Sequence, residues 1–336
     1  MKPTIRDVAK LAGVSISTVS RVMNAPDTVV PDKRQRVQEA IKQLKYQPNA
    51  LARGLIYKKS DTFGVMIPDI ENPYYAGLLR GIQDAAVQLN HSVIICNTDR
   101  DRDRMLAYVR NLFERQADGI IFASDSLHRE FHDEMKRSRL PFVLVSTDAP
   151  EYDVPSVDID NVQAACDAVR HLIGLGHREI GMIGFPVGDT VSGAPRLEGF
   201  RRALAEAGLG HCEAYVEFAA HRFEDAYEAA GRLFARAPQV TAVFAASDEF
   251  AMGTIARARD LGRTVPDELS VVGFDDIRMA RMFIPRLTTV EQPVYEIGVR
   301  AVRKLHELIV NGNVSDPHER LPHRLIVRES TARLIR

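Results

Sequence analysis

A run of small hydroxyl side chains, Ser15, Ser17, Thr18 and Ser20, is interleaved with two apolar residues, Ile16 and Val19, and followed by one cation, Arg21. On a helix these residues put short polar groups and a guanidinium on one face. Short side chains let a helix N-terminus enter the major groove of DNA, and an arginine there can take guanine O6 and N7 with two parallel hydrogen bonds. Chemistry of other kinds is weakly represented. Cys96, Cys166 and Cys212 are scattered with no CxxC spacing, which reads as small buried hydrophobes kept reduced. No GxGxxG follows an apolar run, no GxxxxGK[ST] occurs, and neither a nucleophile elbow nor a metal-spaced His/Cys set is present. Nucleotide cradles, acyl transfer and metal centres are therefore not expected, and no cofactor is expected.

The elements that must carry the polar face are three short helices. The first follows Thr4, a natural N-cap, with Asp7 placed to reach back as a capping-box variant. Ile5, Val8, Leu11 and Ala12 are expected to form its apolar face, and Gly13 to end it. Ser15 or Ser17 caps the second helix, whose inner face is Val19, Val22 and Met23 and whose outer face is Ile16, Ser17, Ser20 and Arg21. The third starts at Pro31 and runs to about Tyr46, burying Val37, Ile41 and Leu44. Two helices joined by a turn of about three residues describe a helix-turn-helix, although periodicity alone also allows a helical bundle with no DNA role.

Charge separates these readings further. Residues 1–60 hold twelve Lys or Arg against four Asp or Glu, and the remainder 32 against 41, so the overall net charge of −1 hides a basic end on an acidic body. That asymmetry fits a nucleic-acid-binding module attached to something else. With 336 residues, 45% hydrophobic and 26% charged, the chain suits two or three globular domains. The absence of a long apolar stretch or an apolar N-terminal core leads us to expect a cytoplasmic protein with no membrane partner.

From Phe63 onward, short apolar runs alternate with amphipathic helical stretches. FGVMIPDI, HSVIICN, DGIIFAS, PFVLVST, REIGMIGF, TAVFAAS and LSVVGFD read as buried strands. YYAGLLRGIQDAAVQL, RMLAYVRNLFERQ, LEGFRRALAEAG and EFAMGTIARARDLG read as helices between them. This rhythm predicts parallel sheets with helices on both faces.

The segments TIRDVAKLAGVSISTVSRVMN (4–24) and RVQEAIKQLKYQPNALARGLI (36–56) closely resemble the headpiece of the lactose/galactose-repressor family of transcriptional regulators. The resemblance implies an N-terminal all-α helix-turn-helix DNA-binding domain and an α/β periplasmic-binding-protein-like core of two doubly wound parallel-sheet lobes. It sets the headpiece at 1–48, a hinge helix and linker at 49–60, and the core at 61–336. One lobe would be about 61–160 and 291–322, the other about 161–290 and 323–336. It places Ile16, Ser17 and Arg21 at base-reading positions, and Thr4, Ser15, Thr18, Asn24 and Tyr46 where phosphates are met. Asn49, Arg53 and Leu55 fall on the hinge helix, with Leu55 as a wedge prying open a base step to bend the duplex. Gly54 inside that helix costs about 0.8–1.0 kcal/mol relative to alanine, and Val30 stands where a capping Ser is usual.

The resemblance also implies an effector site between the lobes. It assigns Tyr74, Tyr75, Ser124 and Ser146 from one lobe, with Ser146 where an Asp is frequent. From the other it assigns Asp189, Arg196, His221, Ser247 and Asp275, with Asp248 at the hinge or structural. The implied partners are a pseudopalindromic operator, a small sugar or sugar-derived effector and a second copy of the chain. No leucine heptad follows LIVRESTARLIR, so a homodimer is expected rather than a tetramer. The function implied is allosteric control of carbohydrate genes, most simply repression, by a protein that is not an enzyme and is associated with the nucleoid. The effector is left open between a monosaccharide or sugar acid and a disaccharide or sugar phosphate.

Overall fold

The computed structural model describes residues 3–46, 60–123, 127–147, 149 and 151–334, and of Asn24 the backbone alone. They fall into two compact units, residues 1–60 and 61–336.

The first unit holds α1 (Ile5–Ala12), α2 (Ile16–Asn24) and α3 (Pro31–Leu44). The Thr4–Asp7 capping box forms in full: the Thr4 amide donates to Asp7 Oδ2 at 2.8 Å, and the Asp7 amide donates to Thr4 Oγ1 at 3.4 Å. Gly13 then turns the chain at φ 62°, a left-handed conformation that costs glycine nothing. Ser15 caps α2, accepting from the Thr18 amide at 3.2 Å. Val30 provides no side-chain cap for α3, which starts on Pro31.

Val8, Ala9, Ala12, Val19, Val22, Val37 and Ala40 form the buried centre, with Ile41 and Leu44 packed against it. Leu11 corrects the sequence reading: it is 47% exposed, and Ala9 takes the inner position. At about 100° per residue, Ala9 lies within 40° of Ile5 around the helix axis, whereas Leu11 lies about 120° away.

Among its described residues the second unit contains two six-stranded sheets. The first comprises β1 (Thr62–Ile67), β2 (Ser92–Asn97), β3 (Gly119–Ala123), β4 (Phe142–Val145), β5 (Ser156–Ile159) and β11 (His318–Leu321), in the order β11-β5-β4-β3-β1-β2. The other comprises β6 (Ile180–Gly184), β7 (Val216–Phe218), β8 (Ala242–Ala245), β9 (Ser270–Asp275), β10 (Thr288–Glu291) and β12 (Arg324–Ile326), in the order β12-β10-β9-β8-β6-β7.

Each sheet is doubly wound, with its order reversing beside β1 and β6 respectively. The side chains that follow the strands therefore gather in a crevice at the carboxyl ends. The helices are α4 (Pro73–Gln88), α5 (Arg102–Glu114), α6 (Arg129–Ser138), α7 (Asn161–Gly174), α8 (Gly193–Glu206), α9 (Phe223–Arg236), α10 (Asp248–Asp260) and α11 (Val294–Asn311).

The chain leaves the first sheet after Ile159, returns after Glu291, and passes over again between Leu321 and Arg324. One strand departs from the parallel pattern: β12 pairs antiparallel with β10. It follows β11 after two residues, so it enters the second sheet from the crevice side, where the parallel strands end, and must run against them.

Close backbone approach fixes α11 against α4. A Cβ on Gly81 would lie 2.0 Å from the Tyr295 carbonyl oxygen, and one on Gly298 would lie 2.4 Å from that of Leu78. Gly81→Val is expected to force the helices apart and destabilise the core by about 1–3 kcal/mol or more, read as a lower midpoint of thermal unfolding. An unchanged midpoint would show that the helices separate without cost.

Candidate nucleic-acid interface and effector cleft

In the helical unit, the outer face of α2 is open. Ile16 is 45% exposed, and Ser17 and Arg21 are exposed beside it. Ser15 Oγ lies 2.8 Å from Ser17 Oγ and 2.9 Å from Thr18 Oγ1, so a small hydroxyl network surrounds the N-terminus of α2. That end carries the helix dipole's positive pole, which favours phosphate. Thr4 is exposed at the start of α1, and Tyr46 packs half-buried against the helical core just beyond α3. Asn24 ends α2, its side chain outside the description. Asn49, Arg53 and Leu55 also lie outside the described residues.

In the larger unit, a cleft between the sheets is lined by Tyr74, Tyr75 and Ser146 from one lobe and by Asp189, Arg196, His221, Ser247 and Asp275 from the other. Eight of the nine residues assigned to an effector are thus brought together, and the ninth, Ser124, lies outside the described residues. Further lining residues were missed, among them Asn72, Arg100, Asp158, Asn161, Phe185 and Gln292. Asn72 had a local signal: it caps α4, accepting from the Tyr74 amide at 2.9 Å. Asp158, Asn161 and Gln292 sit where the chain passes between lobes, and no local pattern marks them.

Arg196, on α8, is 5% exposed. Its Nε donates to Asn161 Oδ1 at 3.1 Å and its Nη1 to the Ala246 carbonyl at 2.6 Å. The guanidinium lies 3.7 Å over the Phe274 ring, with Asp275 Oδ1 3.8 Å from Nη1. Two of its three nitrogens are therefore committed to the protein, which fixes the remaining edge toward the cleft. Asp275 ends β9 at φ 119°, a conformation rare for a residue with a Cβ, and accepts from Gln292 Nε2 at 2.7 Å. A path of hydrogen bonds, joined by the 3.8 Å charge contact of Arg196 with Asp275, thus runs from Asp158 through Asn161, Arg196 and Asp275 to Gln292, touching two of the three passages between lobes.

The other assigned residues are held as firmly. The Tyr74 hydroxyl is 2.5 Å from Ser146 Oγ, and burial pushes its pKa up. Ser247 caps α10 through the Phe250 amide at 3.2 Å. Asp189 Oδ1 accepts from the amides of Val191 and Ser192 at 2.9 and 2.7 Å, so it shapes the loop before α8 as well as facing the cleft. His221 tilts against Phe185, ring centroids 5.4 Å apart. Asp248, fully buried, takes the Thr289 hydroxyl at 2.5 Å and the Ile277 amide at 2.8 Å and so anchors the turn after Asp275.

Burial raises the pKa of Asp248 well above the carboxylate range, and the charge of Asp275 adds to this. Asp275 itself is pushed by burial from 3.8 to about 6, against the opposing pull of Arg196 and Gln292. The fold therefore favours its protonated form. Its contribution to stability is complete below pH 3.8 and is lost as pH rises through about 6.

A ligand hydroxyl that donates to the ionised carboxylate has the opposite dependence, so cleft affinity is expected to rise as pH passes upward through 6. Glu249 nearby is pushed to about 7 by burial and by Asp275, Asp69 and Glu224, against Arg222. The Asp275→Asn variant separates the two contributions. Calorimetric titrations from pH 5 to 8 should lose the lower step in that variant, and a profile identical to the unsubstituted protein would contradict the assignment.

A helix-turn-helix unit followed by a two-lobed α/β core with a polar cleft defines a ligand-binding, DNA-binding transcriptional regulator. Residues 4–49 match the model for bacterial regulatory proteins of the lacI family, and residues 169–331 match that for a periplasmic binding protein-like domain. Catabolite control protein A of Priestia megaterium is 41% identical, with 98% of this chain and 100% of that protein covered. The chain belongs to the lacI family of transcriptional regulators.

Among solved structures, the lac repressor dimer bound to operator and the anti-inducer ONPF superposes with a TM-score of 0.86 at 26% identity, covering 99% of this chain and 100% of that one. The CelR–cellobiose complex gives 0.75 at 33% identity, with 98% and 99% covered. No helix among the described residues is long and apolar enough to cross a membrane.

Proposed function

We propose that this protein is a cytoplasmic repressor of carbohydrate-metabolism genes whose affinity for a pseudopalindromic operator is set by a sugar bound between the lobes. The observation that carries this reading is the path from Asp158 to Gln292, in which the cleft's central ionic pair bonds to the segments joining the lobes. A ligand that competes for or completes those bonds favours one lobe arrangement over another, and operator affinity changes by as much as the ligand discriminates the two. The protein acts as a homodimer. An apolar groove lined by Phe223, Ile255, Val265, Phe283 and Ile284, with Ile284 89% exposed, offers surface for a second copy. Asn49, Arg53 and the Leu55 wedge act on the minor groove between half-sites.

The effector is a neutral polyhydroxylated sugar rather than a sugar phosphate. Three carboxylates, Asp158, Asp189 and Asp275, line the cleft against two cations, Arg100 and Arg196, and Arg196 has two of its three nitrogens committed to Asn161 and Ala246. Burying a phosphate there would set two negative charges against those carboxylates. Binding, not turnover, is the cleft's task.

A thermal-shift screen across neutral mono- and disaccharides and their phosphates tests this. A ligand that binds only the folded state raises the unfolding midpoint. Neutral sugars should raise it and phosphates should not; stabilisation by phosphates alone, or conversion of the sugar, would overturn the reading.

A further inference from the structure

The amino ends of β2, β1 and β3 lie side by side, at the opposite end of the first sheet from the effector cleft. The residue just before each strand carries a metal-ligating group: His91, Asp61 and Asp118. Register makes them neighbours, since Thr62 pairs with Ser92 and Phe63 with Gly119 across adjacent parallel strands. One donor atom from each residue lies within 4.8 Å of the others.

From this juxtaposition we propose that Asp61, His91 and Asp118 form a binding site for one small divalent transition-metal cation of the zinc class.

The orientation of His91 is the independent support. Its Nδ1 lies 2.8 Å from the Leu89 carbonyl, an acceptor only, so that nitrogen donates. Nε2 faces Asp118 Oδ2 at 3.6 Å. A positive centre shared by that nitrogen and the carboxylate, a metal ion or a proton on Nε2, satisfies both. A histidine that donates one ring N–H to a backbone carbonyl while its other nitrogen faces acidic oxygens has the usual arrangement of a metal-bound imidazole.

The ring is clamped as well, stacked on Phe63 at 4.1 Å and 9° and met edge-on by His306. Asp118 is fixed by the Thr62 amide, which donates to its Oδ2 at 3.0 Å. Two ligands about 2.0–2.1 Å from a tetrahedral zinc stand about 3.4 Å apart, close to the 3.6 Å between His91 Nε2 and Asp118 Oδ2, while the three donors together lie within 4.8 Å. The side chains of His91 and Asp118 are 14% and 6% exposed, so both are largely shielded from water. One imidazole and two carboxylates suit zinc and its neighbours better than magnesium or copper(I). Asp61 opens the core unit, so a bound ion would tie the chain's entry into β1 to the starts of β2 and β3.

The test uses the full-length, untagged protein stripped with chelator and titrated with Zn2+ against a chromophoric competitor, followed by thermal unfolding with and without the metal. One Zn2+ per chain is expected, with a higher unfolding midpoint. His91→Ala should weaken binding at least tenfold and abolish the midpoint shift. Because that substitution also removes the stacking on Phe63, Asp61→Asn serves as a second variant and should weaken Zn2+ similarly. Absence of stoichiometric binding, with His91 held by a proton alone, overturns the proposal. So does binding that survives both substitutions unchanged.

Discussion

An Arg196→Ala protein is expected to recognise its operator yet no longer respond to the cleft ligand. Hydrogen bonds to charged groups are worth about 1.5–3 kcal/mol each, so losing the edge that faces the ligand should weaken binding roughly 10- to 150-fold. The same change leaves Asn161 Oδ1 and the Ala246 carbonyl without their donor and Asp275 without its counter-charge. Removing one member of a buried ion pair costs about 3–5 kcal/mol, so the core should also melt earlier. Arg196→Lys separates the two effects. It keeps the charge beside Asp275 and most of the stability, but it cannot bond Asn161, Ala246 and ligand together. A lysine variant with full ligand response would remove Arg196 from the site.

The second large effect belongs to the headpiece. Arg21→Ala should cost about 1–3 kcal/mol in discrimination between operator and unrelated duplex, while binding to unrelated DNA is largely kept. Because Arg21 is exposed and makes no part of the helical core, the unfolding midpoint should not move. Ser15→Ala makes the contrast. It removes the cap on α2 and should destabilise the headpiece by about 0.5–2 kcal/mol. Competition binding with operator and scrambled duplexes, alongside calorimetry, reads both. Equal loss on both duplexes in Arg21→Ala would make that residue a phosphate contact instead of a base reader.

These two residues also illustrate what the sequence discloses. The headpiece is legible because its determinants are local: a Thr4–Asp7 box, a left-handed Gly13, a Ser15 cap and repeats of Val and Ala at helical spacing. Leu11 was misplaced by treating every third residue as one face, an error that geometry removes. In the core, most strands read from the sequence are buried on both faces, such as GIIFA of β3 and AVFA of β8, which appear as unbroken apolar runs; β2, also read as buried, is an edge strand with Ile95 45% exposed. β5, β7, β10, β11 and β12 were not read. They lie toward the sheet edges, run only three or four residues, and mostly mix polar with apolar positions.

The cleft residues came from family resemblance and not from spacing, because nothing local relates Tyr74 to Asp275. The missed Asp158, Asn161 and Gln292 sit on such short strands or on the passages beside them. The His91 cluster was invisible for a related reason. Its members are 30 and 27 residues apart along the chain, and only strand register unites them.

The claim on which the rest depends is that one ligand in the cleft sets DNA affinity. It is tested most directly by titrating the protein into a labelled palindromic duplex, selected from random sequence, at two salt concentrations with and without a saturating cleft sugar. The account predicts salt-sensitive, sequence-selective binding that the sugar shifts by about 5- to 150-fold, with the duplex altering sugar affinity by the same factor. A protein that prefers no duplex, or whose preference is identical with the cleft empty and filled, would contradict it.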